Sequence, residues 1–151
     1  MPFVRIVLSP GPRIGDDRGM KTESRHVSVF VNRPMAEVYR YAADPGNLPH
    51  WAAGLATGIT SEDGRWFADS PMGRIEIIFA PPNDFGVLDH EVITPDGTPT
   101  YNPMRVMPAG DGCELIFSVR RRGMSDAEFD RDSAAVLADL QSLAALMEQQ
   151  Q

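Results

Sequence analysis

Residues 125–150 read SDAEFDRDSAAVLADLQSLAALMEQQ, and they decide the architecture. Ser125, Asp126, Ala127 and Glu128 form a capping box: a Ser hydroxyl caps the first turn and a Glu three residues on reaches back. Phe129, Val136, Leu140, Leu143 and Met147 then follow at spacings of 7, 4, 3 and 4, one narrow stripe along a helix. About two dozen residues at ~1.5 Å each give a helix of ~36 Å, long enough to cross a whole sheet. At ~100° per residue, Asp132 and Asp139 flank the stripe on one side, ~40° and ~60° from Val136.

The rest of the chain supplies that sheet. Val27, Val29 and Val31 alternate with His26, Ser28 and Phe30, which predicts a strand over 24–31. Asn32 is read as the N-cap of a helix over 35–43, with Pro34 in its first turn. A second short helix covers 47–52, with Leu48 and Trp51 on one side. Strands are predicted at 55–61, 65–70, 74–79, 86–93, 100–107 and 113–121. Asp63-Gly64 and Asp96-Gly97 are hairpin turns, because Gly accepts positive φ at no steric cost. Consecutive hairpins imply an antiparallel sheet. The expected fold is α+β: a curved seven-stranded antiparallel sheet around a long C-terminal helix, with two short helices after the first strand. Such a grip leaves a cavity where the facing side chains are too few to fill it.

Composition narrows the function. The chain has 151 residues and one Cys, which excludes a disulfide framework and a multi-Cys zinc site. The net charge of −7 argues against nucleic acid as a partner. No apolar run approaches the ~20 residues of a membrane span. Residues 3–8 are too short, and too interrupted by Arg5, for a secretory signal, so a cytoplasmic protein is expected. Residues 1–21 read as an N-terminal extension, either flexible or carrying an extra edge strand at 3–8 that could pair across a homodimer. Residues 22–149 read as one domain. The three His and Cys113 show no metal-ligand spacing, and neither a nucleophile elbow nor a phosphate loop occurs, so no metal and no cofactor are expected.

Alternation sorts the strand residues. Leu88, His90 and Val92 share the inward face, opposite Asp89 and Glu91. Ile75, Ile77 and Phe79 point inward from their strand, as do Asn102, Met104 and Val106, then Cys113, Leu115, Phe117 and Val119; for the strand at 65–70 the inward set is read as Trp66, Ala68 and Ser70, with Phe67 and Asp69 nearly as good a choice. His90 is the sharpest candidate: an inward imidazole can move a proton or hold a ligand oxygen, and otherwise it is a core His satisfied by a backbone carbonyl. Asp132 could assist it, or pair with an Arg. Tyr39, Tyr41 and Trp66 could line the pocket, and Asn102 could donate to a ligand; packing is the plainer role for the aromatics.

The segments VFVNRPMAEVYRYAADPGNLPHW (29–51), FGVLDHEV (85–92), NPMRVMPAGDGCELIFSVRR (102–121) and GMSDAEFDRD with DLQSL (within 123–143) resemble the START-related helix-grip superfamily, often labelled SRPBCC. Within it, the chain is most similar to polyketide cyclase/dehydrase-like proteins. The resemblance places Trp51 where a lid over the cavity would lie. It implies binding of a small hydrophobic or aromatic molecule, lined by Tyr39, Trp51, Trp66, Ile77, His90, Asn102, Met104, Phe117, Val136 and Leu140. It also leaves open a metal-free cyclase or dehydratase of lyase or isomerase type using His90 and Asp132, and a co-chaperone-like interaction module.

Overall fold

The computed structural model describes residues 22–150; the expected extension and its strand at 3–8 lie outside them. Valine-rich alternation forms β1 (Ser24–Val31). It is followed by α1 (Met35–Ala42) and α2 (Leu48–Trp51), the latter between 3-10 turns at Pro45–Asn47 and Ala53–Leu55. The strands β2 (Thr60–Glu62), β3 (Arg65–Ser70), β4 (Gly73–Phe79), β5 (His90–Ile93), β6 (Pro99–Asn102), β7 (Met104–Ala109) and β8 (Gly112–Arg120) come next, then α3 (Asp126–Gln149). All strand pairs are antiparallel. Asp63 and Gly64 both take positive φ (51° and 77°), the paired left-handed geometry of a two-residue hairpin turn.

The expected single seven-stranded sheet is two sheets, β1-β8-β7 and β2-β3-β4-β5-β6. Two breaks explain the division. The predicted strand at 100–107 splits at Pro103, which has no N–H for the ladder. The predicted strand at 86–93 is regular only from His90. Upstream, Gly86 turns at φ +73°, and a Cβ there would lie 2.1 Å from the Val106 carbonyl oxygen. The sheets still touch through the isolated bridge Val87–Arg105 and bonds from Leu88 N to Met104 O and from Val106 N to Gly86 O, both 2.9 Å.

Other boundaries also move. The predicted strand at 55–61 begins only at Thr60, because residues 53–55 form a turn and Gly58 takes φ +123°. Asn32 does not cap α1: Pro34 holds the N-cap position without a side-chain bond, and the Asn32 N–H donates to Glu148 Oε1 at 2.9 Å. Asn32 stands too far ahead of the first helical residue to reach its N–H groups.

Ser125 Oγ accepts from the Glu128 N–H at 3.2 Å, one half of the expected box. All five stripe residues of α3 are buried. The helix packs on β1, β8 and α2. Arg25 of β1 ties it down, bonded to Asp130 at 2.5 Å with its guanidinium 4.1 Å from the Phe129 ring centroid.

Candidate functional site

His90 begins β5, and alternation turns its ring inward with Leu88 and Val92, all three buried. The ring stacks on Phe79 of β4 at 5.0 Å and meets the edge of Phe117 of β8 at 5.8 Å. Its Nδ1 lies 3.1 Å from Leu88 O. A carbonyl only accepts, so Nδ1 carries the hydrogen and Nε2 is the ring's acceptor. Burial lowers the His90 pKa, and the Leu88 carbonyl and the Asp89 charge oppose that only in part. The ring is therefore neutral at pH 7. Asn102 pairs with His90 across β5 and β6, and Met104 pairs with Phe117 across β7 and β8. Where the two sheets meet, His90 and Asn102 of one thus face Met104 and Phe117 of the other.

An open cleft of about 390 Å³ lies between the end of α1 and strands β3 and β4. Tyr39, Pro45, Trp66, Ile77, Phe79 and Pro82 are among the residues that line it. Arg65 and Glu76, bonded twice at 2.7 Å, close one side. The cleft reaches Phe79, and the Phe79 ring stacks on His90. Asn83 builds the neighbouring loop: its Oδ1 accepts from the Phe85 and Val87 N–H groups, and its Nδ2 donates to the Pro81 and Val87 carbonyls. Its backbone N–H donates to Tyr39 Oη at 2.9 Å, which fixes the tyrosine at the cleft wall.

A third group lies along α3 and the α2 cap. Trp51 ends α2 and is buried with Val136 and Leu140. Asp132 and Asp139 are buried at 3% and 7% exposure. Asp139 Oδ1 accepts from the Ala53 N–H at 3.3 Å. Burial raises its acid to about 7, against the pull of that one bond. Among the described residues, Trp51 Nε1 and Ser133 Oγ are buried without a hydrogen-bond partner.

The structure therefore divides the sequence candidates. Tyr39, Trp66 and Ile77 meet at the cleft, His90, Asn102, Met104 and Phe117 at the junction of the two sheets, and Trp51, Asp132, Val136 and Leu140 on the helix side. Asp89 is the carboxylate whose charge acts on His90. Tyr41 is not among the cleft's lining residues. Among the described residues no group of three or more His, Cys, Asp or Glu could hold a metal. Cys113 is buried, and burial raises its thiol pKa, away from a nucleophilic thiolate. No described helix is long and apolar enough to cross a membrane.

Comparison with known proteins speaks to the fold. No family model matches the chain, and no curated protein does. Solved structures do. DynU16, a protein of the dynemicin biosynthetic locus, is 18% identical with a TM-score of 0.61, over 83% of this chain and 47% of its own. The chain thus spans about half the length of DynU16. The Aha1 dimer from Colwellia psychrerythraea is 9% identical with a TM-score of 0.64, over 84% and 97% of the two chains. CalU16 from Micromonospora echinospora is 15% identical with a TM-score of 0.58, over 83% and 74%. These neighbours have helix-grip folds.

The chain has the helix-grip fold.

At these identities the likeness is one of fold alone. Two members of the helix-grip interior were not singled out as site residues from the sequence. Phe79 was legible only as an inward strand residue, and its place between cleft and His90 depends on β4–β5 pairing. Asp139 flanks the apolar stripe, but its burial depends on where the α2 cap sits.

Proposed function

We propose that the helix-grip interior binds a small hydrophobic or aromatic molecule between the sheets and α3, with the Tyr39–Trp66–Phe79 cleft as its entrance. One observation carries this reading. Phe79 both lines the open cleft and stacks on the neutral, inward His90. An apolar ligand that displaces the Phe79 ring meets an imidazole, the Phe117 ring and Asn102 in turn. A few polar groups set in apolar walls are what orients a ligand in such sites. Native mass spectrometry of the purified protein tests it: a bound small molecule is expected. His90→Ala is expected to reduce its retention more than it lowers the melting temperature. Full retention beside a large loss of stability would make His90 a core residue only.

A second reading makes the same interior catalytic, as in a cyclase or dehydratase. It is favoured by the tautomer of His90, whose Nε2 is an acceptor able to take a proton. Asp132 would assist from α3. Turnover of a poly-β-ketone thioester, lost in His90→Gln while binding persists, supports this reading; binding without turnover supports the first alone.

A further inference from the structure

β1 lies at the edge of its sheet, and one of its sides is open. It pairs with β8 alone, at the end of the order β1-β8-β7. The Arg121 N–H donates to Glu23 O at 2.9 Å, so Glu23 and the residues that alternate with it, Arg25, Val27, Val29 and Val31, turn their backbone groups to β8. His26, Ser28 and Phe30 turn theirs the other way, and among the described residues no hydrogen bond reaches those groups. Both ends of this edge are tied to α3: Arg25 bonds Asp130, and the Asn32 N–H donates to Glu148 Oε1. Leu137 lies on the same flank of the helix as Asp130 and Glu148, at steps of seven and eleven residues. Between the ties, Val27, Val29 and Leu137 stay only part-buried, and Phe30 on the outer face is 53% exposed. The strand carries no Pro and no Lys, the residues that commonly guard an edge against pairing.

We propose that residues 3–8, FVRIVL, add to this edge as an antiparallel strand of the same chain, with Phe3 opposite Phe30, Arg5 opposite Ser28 and Val7 opposite His26. The alternation of the two segments sets the register. Phe3, Arg5 and Val7 alternate with Val4, Ile6 and Leu8. In this register Val4 and Ile6 stand opposite Val29 and Val27, on the Leu137 side, and Phe3 covers Phe30 as an aromatic cross-strand pair. A slip of one residue turns Val4, Ile6 and Leu8 to solvent and Arg5 toward α3. The connection is long enough: residues 9–23 are 15 in number, and such a stretch spans up to ~50 Å extended, against ~5 Å between neighbouring strands. A parallel strand would need that connection to run back along the whole of β1 first. Tethering favours the chain's own segment over that of a second copy, by an effective concentration on the order of mM.

Amide hydrogen exchange of the full chain, read residue by residue by NMR, tests this. The His26, Ser28 and Phe30 amides are expected to exchange about 100-fold more slowly in the parent than in Ile6→Asp. Ile6→Val is expected to keep that protection. The Arg25, Val27 and Val29 amides point to β8 and are expected to stay protected in all three chains, which makes them the internal control. Nuclear Overhauser contacts are expected between the α protons of Val4 and Val29, and of Ile6 and Val27, the close non-hydrogen-bonded pairs of this register. Fast exchange at His26, Ser28 and Phe30 in the parent, equal protection in Ile6→Asp, or absence of these contacts overturns the proposal. Protection that is lost on dilution together with a dimer's mass also overturns it, and assigns the edge to a second copy. If Ile6→Asp does not fold, the exchange and the α-proton contacts of the unaltered chain decide.

Discussion

Asp139 and His90 are buried titratable groups whose effects on stability run in opposite directions with pH. Asp139 keeps its proton to about 7 in the folded chain, against an ordinary value of 3.8. Between those values the folded state binds more protons, so this group's contribution falls as pH rises through the window. His90 is held neutral by burial, so its contribution is lost as pH falls below ~6.5, where the unfolded chain takes up a proton. Asp139→Asn removes the first effect. Its melting temperature should rise at pH 8, by the equivalent of at most roughly 4 kcal/mol. Its stability should then fall more steeply from pH 7 to pH 5 than in the parent. His90→Gln should show the reverse slope over that window. Urea titrations at several pH values check both signs. The sequence makes His90 visible because alternation fixes its face. It shows Asp139 only as a flank residue, since burial of that flank needs the α2 cap and no local pattern encodes it.

The elements are held by contacts that local pattern does not carry. The sheet junction at Pro103 is clipped by a side chain. Asp89 Oδ1 accepts from the Met104 N–H and from Arg105 Nε, both at 2.9 Å, and Oδ2 accepts from Arg105 at 2.8 Å and from the Tyr101 hydroxyl. Burial pushes the Asp89 acid up, but Arg105, Tyr101 and the Met104 N–H together bring it down to about 2. Asp89→Ala should cost about 2–3 kcal/mol and open the junction, read as faster amide exchange at Met104 and Leu88. Gly86→Ala should cost roughly 2–4 kcal/mol, since its Cβ would strike the Val106 carbonyl at a positive φ. Denaturant midpoints measure both. The turns at Asp63-Gly64 and the span of β1 were legible because their signals lie within a few residues. The split at Pro103 was not drawn, although the proline was visible: the flanking residues Asn102 and Met104 both face inward, so alternation runs through the break.

At the scale of the molecule, the long helix and the order of elements were readable because α3 keeps one stripe over its whole length. All five stripe residues are buried, on a helix that ends two residues before the chain does. The division into two sheets was not readable, and neither was the cleft, because both depend on how segments far apart in sequence meet. The cleft joins α1 to β3 and β4, and Phe79 connects it to His90 on the next strand. On the binding reading proposed above, this path leads to a ligand site. A proton–nitrogen and aromatic proton–carbon titration of the unaltered protein with 2-acetylnaphthalene decides it. Saturable shifts at Phe79, His90 and Phe117 with one binding curve are the predicted result. Shifts confined to exposed residues such as Phe30 and Phe85, with His90 and Phe117 unmoved at saturating probe, would contradict it.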